Sequence, residues 1–241
     1  MEKIIEIRKK KKPLISVIIP TLNEEKYIRT TLIAVSNQTL DRNKYEIIIC
    51  DSNSKDRTIE IAKKYADKII ITDRKGIAVG RNLGAKYAKG KFLVFIDADT
   101  IILPNTLEEC LKYFKEYDLI YPRVWTLDSS FIYSFFYFIY NLSILLLKYI
   151  LPQAGGFFIA IKKEVFQKVN GFNENLTTAE DLDLIKRVSK IAKVGLAKFP
   201  VITSTRRFEK EGRIKMAFKY TLFFFLFNLF GIYMKNYKPV R

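Results

Sequence analysis

The residues best equipped for chemistry are Asp97 and Asp99, which close the stretch Lys91-Phe-Leu-Val-Phe-Ile-Asp-Ala-Asp-Thr100. Two carboxylates two positions apart project to the same side of an extended chain. With no basic residue between them they repel unless a cation joins them, and hard oxygen ligands suit Mg²⁺ or Mn²⁺ carrying a diphosphate. The bare pattern is common: Asp181-Leu182-Asp183 repeats it, and a solvated turn explains it as readily. Position separates the two readings. Phe92 to Ile96 is an unbroken apolar run rich in aromatic and β-branched residues, the mark of a strand buried on both faces. Open α/β sheets bind ligands where such strands end.

The elements needed to hold that pair are legible around it. Apolar strands are expected at Leu14 to Pro20, Tyr45 to Cys50, Lys68 to Thr72 and Phe92 to Ile96, with further strands near Leu119, at Phe158 to Ile161 and at Phe199 to Ile202. Helices fit between them: from an Asn23 cap to Asn37, with Tyr27, Ile28, Leu32 and Val35 on one face, then Thr58 to Tyr65, then Gly76 to Ala88. Short alternating connections predict an α/β fold with a mostly parallel sheet covered by helices. Three strands end in polar groups, at Thr21 with Asn23 and Glu24, at Asp51, and at Asp97 with Asp99, so one sheet edge gathers them. Singly, Asn23 as a helix cap and Asp51 as an Asx turn have ordinary structural explanations. Their joint placement favours a nucleotide site. Gly76, Gly80 and Gly84 lie four apart on a helix, whereas a dinucleotide fingerprint needs its glycines in a strand-to-helix turn.

Composition narrows the function classes. The absence of histidine excludes His-based triads and His-ligated metals, leaving carboxylates, Lys, Tyr or Cys for proton transfer. A net charge of +17 implies an anionic partner, yet the chain carries no zinc-ligand pattern or other nucleic-acid module, so no nucleic-acid partner is expected. Cys50 and Cys110 lack metal-ligand spacing and read as reduced core residues of an intracellular protein. The lysine-rich residues 1–13 read as a basic tail without the apolar core of an export signal.

Five strings together resemble the inverting glycosyltransferases of family 2, whose single-domain nucleotide-sugar fold is usually called GT-A. They are Ser16-Val-Ile-Ile-Pro-Thr-Leu-Asn-Glu24, Ile49-Cys-Asp-Ser-Asn-Ser-Lys-Asp-Arg-Thr58, Gly80-Arg-Asn-Leu-Gly84, Phe95-Ile-Asp-Ala-Asp99, and Gly171-Phe172 followed by Glu180-Asp181. They run in the family's order over a domain spanning residues 14–207. The resemblance implies that Thr21, Glu24 and Asp51 hold the nucleoside of a UDP- or GDP-sugar, with Asp51 accepting from the base and Arg81 near base or diphosphate. It implies that Asp97 meets the ribose or a metal-bound water, and that Asp99 ligates Mn²⁺ or Mg²⁺. Asp181 would be the general base, with Glu180 structural or orienting. On the residues alone, Glu180-Asp181 is ordinary acidic charge at a helix start. Gly155 and Gly156 would let backbone approach the donor sugar and acceptor. Arg206 and Arg207 read equally well as a diphosphate clamp and as a solvated basic turn. The Gln-x-x-Arg-Trp string of processive members is absent, which implies transfer of a single sugar.

Two apolar runs interrupt this pattern. Residues 131–152 carry one charge, Lys148, and residues 208–241 contain the Phe/Leu-rich run Tyr220 to Met234 between lysines and arginines. Both predict apolar helices associated with the cytoplasmic face of the cell membrane; a crossing at 131–152 would split the site, so that segment is expected to lie in the interface, enter and return, or pack against the domain. A membrane surface and a lipid-linked acceptor, a polyprenyl phosphate or a lipid-linked saccharide, follow as expected partners. The rival readings are a sugar-phosphate nucleotidyltransferase, disfavoured by the acidic Thr21-Leu-Asn-Glu-Glu25 where a basic glycine-rich loop would stand, and a non-catalytic scaffold, disfavoured by the intact Asp97, Asp99 and Asp181.

Overall fold

A computed structural model of the chain describes residues 2–9, 12–126, 131–147, 155–206 and 212. In chain order its elements are β1 (Glu2–Glu6), β2 (Ile15–Thr21), α1 (Ile28–Ser36), β3 (Tyr45–Asp51), α2 (Thr58–Ala62), β4 (Lys68–Thr72), α3 (Ile77–Tyr87) and β5 (Phe92–Ile96). There follow β6 (Thr100–Ile102), α4 (Thr106–Tyr113), β7 (Leu119–Thr126), α5 (Phe131–Leu147), β8 (Phe158–Lys162), α6 (Lys163–Lys168), α7 (Glu180–Val188) and β9 (Val194–Thr203). The strands form one sheet in the order β1-β4-β3-β2-β5-β8-β7-β9-β6.

Alternation along the strands builds two cores, one on each face. Ile15, Val17 and Ile19 of β2 meet α1, α2 and α4 on one face, while Ile18 meets α3, α6 and α7 on the other. This explains the continuous apolar runs, since strands covered on both sides have no polar face to present. The glycines of α3 belong to this packing. A Cβ on Gly84 would lie 2.3 Å from Ile18 Cγ2 and 2.9 Å from Cys50 Sγ, so only glycine lets α3 sit this close to β2 and β3. Cys50 and Cys110 are buried free thiols.

The sheet is mixed, which corrects the mostly parallel expectation. Four of its ladders are parallel, β2/β3, β2/β5, β3/β4 and β7/β9, and four are antiparallel, β1/β4, β5/β8, β6/β9 and β7/β8. An apolar strand has the same composition whichever way it runs, so alternation with helices does not report direction. The reversal of β8 matters to the site. It pairs Ile96 with Phe158, which brings the turn before β8 to the carboxyl end of β5. The stretch Glu2–Glu6, inside the expected basic tail, is an edge strand on β4.

The expectation of apolar membrane-associating helices is also corrected. Among the described residues no helix is long and apolar enough to cross a membrane, and α5, at 17 residues, is a domain element rather than an anchor. Its Tyr133, Tyr137, Asn141 and Ile144 are buried. Asn141 accepts from the Val124 amide (3.0 Å) and donates to the Val124 carbonyl (2.7 Å), locking the helix onto β7. The apolar content of residues 131–147 thus serves packing on one side, and Phe135, Phe138, Ile139, Leu142, Leu145 and Leu146 are exposed on the other. The second expected membrane segment, Tyr220 to Met234, lies outside the described residues.

Candidate active site

Parallel β2, β3 and β5 end at one edge, and β8 starts there. Thr21 ends β2 and donates from its hydroxyl to Asp51 Oδ2 at the end of β3 (2.8 Å). Asp51 is fully buried; its Oδ1 accepts from the Ser54 amide (2.7 Å) and its Oδ2 from the Ser54 hydroxyl (2.6 Å). The carboxylate therefore shapes the loop after β3. Asn23 is not a helix cap. It sits at φ 55, a conformation asparagine tolerates, and its side-chain oxygen accepts from the Lys55 amide (2.8 Å), tying the loop after β2 to the loop after β3. Helix α1 starts later, with Tyr27 at its N-cap position.

Asp97 and Asp99 follow β5, and each has a guanidinium partner. Arg81 on α3 has no exposed surface. Its Nη2 donates to Asp97 Oδ1 (2.9 Å) and to the Gly156 carbonyl (2.7 Å), its Nη1 donates to Glu180 Oε1 (2.9 Å), and Phe172 stacks on the group at 5.1 Å. Burial alone would lower its pKa, but Asp97, Glu180 and Asp181 raise it, so it is a fixed cation. Arg206 plays the corresponding part for Asp99. Its Nε lies 2.8 Å from Asp99 Oδ2, its Nη1 and Nη2 contact the two Glu24 oxygens at 2.5 and 3.0 Å, and it stacks over Tyr27 at 4.8 Å. The Nε contact with Asp99 is an ion pair without hydrogen-bond alignment. Ser204 donates a further bond to Asp99 Oδ2 (2.5 Å). Burial pushes the Glu24 carboxyl up, against the pull of Arg206.

Asp181 opens α7 beside Glu180, just after Ala179, which is left-handed at φ 60. Its Oδ1 accepts from the Leu182 amide (2.8 Å). Burial first, then the neighbouring Glu180, pushes its pKa up to about 7, with Arg81 pulling the other way. Gly156 lies against it: a Cβ there would be 2.8 Å from Arg81 Nη2 and 3.3 Å from Asp181 Oδ2. Tyr140 of α5 packs against both cores, and burial, then the Asp181 charge, push its hydroxyl pKa up.

The structure thus brings Thr21, Glu24, Asp51, Arg81, Asp97, Asp99, Gly155, Gly156, Asp181 and Arg206 to one edge. Arg207 lies outside the described residues. Arg206 is neither solvated nor free, and Arg81 is a buried organiser. Sequence reasoning missed Tyr27 and Ser204, neither of which carries a local signal beyond a hydroxyl or ring near the motifs. Among the described residues no three acidic or cysteine side chains form a metal cage. The donors nevertheless fit a hard cation. Asp99 and Glu24 already hold a positive group, and Mg²⁺ or Mn²⁺ ordinarily takes only one or two carboxylates, completing its shell with phosphate and water.

Comparison with known proteins places this site in context. The family model described as "Glycosyl transferase family 2" matches residues 16–169. The poly(ribitol-phosphate) beta-N-acetylglucosaminyltransferase TarS of Staphylococcus aureus is 33% identical over 108 residues, 42% of this chain and 19% of TarS. The uncharacterized glycosyltransferase MJ1057 of Methanocaldococcus jannaschii is 34% identical over 129 residues, 49% of this chain and 44% of that protein. The matches therefore span less than half of these relatives. The mannosyltransferase PcManGT of Pyrobaculum calidifontis, solved with GDP-Man and Mn²⁺, superposes with TM-score 0.70 at 21% identity over 88% of this chain and 65% of its own, a likeness of fold.

Proposed function

The chain belongs to glycosyl transferase family 2 and has the fold usually called GT-A, and on that premise we propose that it transfers one sugar, with inversion, from a UDP- or GDP-sugar to the hydroxyl of a saccharide or lipid-linked acceptor. The observation that carries this reading is the gathering of carboxylates at one sheet edge by two guanidinium groups, Asp97 and Glu180 on Arg81 and Asp99 and Glu24 on Arg206, with Asp181 next to Glu180 at the start of α7.

In this reading the nucleoside lies over the loops after β2 and β3, which Thr21, Asp51 and Asn23 stitch together. Asp99 and Asp97 would hold Mn²⁺ or Mg²⁺, which when bound would stabilise negative charge on the departing diphosphate. Arg81 keeps Asp97 and Glu180 in place and fixes the Gly156 carbonyl, so the turn before β8 is tied to the acidic residues of the site. Asp181 removes the acceptor hydroxyl proton as the acceptor oxygen attacks the anomeric carbon; the carbon–oxygen bond to the diphosphate breaks and the nucleoside diphosphate leaves. Arg206 stands where the diphosphate would pass and can exchange Asp99 for phosphate oxygens. A lipid-linked acceptor would place the reaction at the cytoplasmic face of the membrane, where the net charge of +17 attracts anionic lipid.

Hydrolysis of a panel of nucleotide sugars by the purified chain, with Mn²⁺ and with chelator, tests the proposal. Metal-dependent release of one nucleoside diphosphate, lost in Asp99→Ala, is the expected result. Pyrophosphate release from a nucleoside triphosphate plus sugar phosphate would instead make the protein a nucleotidyltransferase.

A further inference from the structure

Helix α5 is packed on one side only. Tyr133, Tyr137, Asn141 and Ile144 turn inward, and the bonds between Asn141 and the Val124 backbone hold that face on β7. The outward face carries Phe135, Phe138, Ile139, Leu142, Leu145 and Leu146, each 38–66% exposed. Their spacing, i, i+3, i+4, i+7, i+10 and i+11, is that of a stripe that packs against another helix, and residues 131–147 contain no charge to solvate it. A contiguous exposed apolar patch of this kind marks a contact surface. The course of the chain brings one apolar segment to it. Strands β7 and β9 run parallel and in register to their last residues, Thr126 beside Thr203. The chain leaves β7 there to begin α5 at Phe131, and leaves β9 beside it, so the residues after Arg206 set out close to where α5 starts. The uncharged run Tyr220 to Met234 follows after the thirteen residues Arg207 to Lys219. Such a tether reaches at most about 45 Å, more than the roughly 25 Å of a 17-residue helix, so every turn of the stripe is within its range.

We propose that residues Tyr220 to Met234 of the same chain dock on the outward face of α5, so that the two apolar runs cover each other. The inference goes beyond the transferase reading and does not depend on it. The fifteen-residue run would span about 22 Å as a helix, close to the length of the stripe. Neither partner carries a charge, so the contact needs no ion pair, while Arg213, Lys215 and Lys219 before the run and Lys235 and Lys238 after it can keep their charged ends in water. A second copy of the chain offers the same stripe, but the tether holds the run at an effective concentration on the order of millimolar. A separate molecule in dilute solution does not match that.

The test reads the accessibility of a thiol placed on the stripe of the full chain. Cys50 and Cys110 are buried, so a maleimide labels only an introduced cysteine: Phe138→Cys or Leu142→Cys on the stripe, and Lys63→Cys as the exposed reference. Both stripe positions should label at least about ten-fold more slowly than the reference, as expected of a contact that opens only transiently, and equally so at low and high protein concentration. Adding Phe224→Asp and Phe227→Asp should bring them to the reference rate while Cys50 and Cys110 stay unlabelled, the sign of an intact fold. Should those two core thiols become reactive, cross-linking of Leu142→Cys to Phe224→Cys within one chain by a bis-maleimide takes the place of the aspartate variant, and its absence overturns the inference. Stripe positions that label at the reference rate, or slow labelling that survives both aspartates, overturn it as well. So does slow labelling that appears only as protein concentration rises, which makes the cover a second copy, or only with phosphatidylglycerol vesicles, which makes it a membrane.

Discussion

At the scale of single residues, the site is a set of carboxylates held in place at a cost to the fold. Asp181 shows this most clearly. Its pKa is raised to about 7 by burial and then by Glu180, so it is a carboxylate able to accept a proton only above that range. Transfer to a hydroxyl acceptor should therefore fall as pH drops through about 7, with a single titration that Asp181→Asn removes along with the transfer itself. The same shift has a stability consequence of opposite sense. A carboxyl whose folded pKa exceeds its unfolded one favours the folded state at low pH, and that contribution is lost progressively as pH rises from the ordinary carboxylate range to about 7. Asp181→Asn should accordingly be more stable than the unaltered protein at pH 8, by on the order of 4 kcal/mol, and nearly equal to it near pH 4. Thermal melts at the two pH values check the sign. Arg81 is the counterpart: it is fully buried between Asp97 and Glu180, and Arg81→Met leaves two carboxylates without their cation. Breaking such a pair costs about 3–5 kcal/mol, which denaturant unfolding would register as a lower midpoint at unchanged slope.

At the scale of elements, what positions these residues is close packing of helices on a sheet whose strands run both ways. Gly84→Ala should destabilise by about 1–3 kcal/mol, because its Cβ has nowhere to go between Ile18 and Cys50; a matched substitution at exposed Lys89 should not. The four-residue glycine spacing is visible in the sequence, and reading it as a helix rather than a nucleotide loop rests on position alone. The strands β2 to β5 are equally legible, since each is a short apolar run bounded by polar residues. Strand direction is not, because Ile96 meets Phe158 only through a partner 62 residues away. Likewise β1 hides behind its charges: Glu2 and Glu6 face Lys86, Tyr87 and Lys89 at an edge, and nothing local distinguishes it from a solvated tail. The acidic motifs are found by spacing. The guanidinium groups that organise them are brought from 16 to 182 residues away, so their roles belong to the fold. A helix as apolar as α5 reads as membrane-bound until Asn141 is seen bonding β7.

At the scale of the whole molecule, one edge of a nine-stranded sheet collects the ends of β2, β3, β5 and β9 and the start of β8. A net charge of +17 is carried by the whole chain, so self-repulsion opposes the folded state. Added salt should raise the melting temperature, and a fall on moving to physiological ionic strength would show that ion pairs such as Arg206 with Glu24 and Asp99 outweigh that repulsion. The central claim is a division of labour across the edge, with Asp99 serving donor and cation and Asp181 serving the acceptor. The most direct test measures Mn²⁺-dependent nucleoside diphosphate binding by calorimetry and sugar transfer by product formation in the unaltered protein, Asp99→Ala and Asp181→Asn. The account predicts that Asp99→Ala loses both, and that Asp181→Asn binds normally but transfers at least a hundred-fold more slowly, the usual order for removal of a general base. Transfer undiminished in Asp181→Asn, or Mn²⁺-dependent binding undiminished in Asp99→Ala, would contradict it.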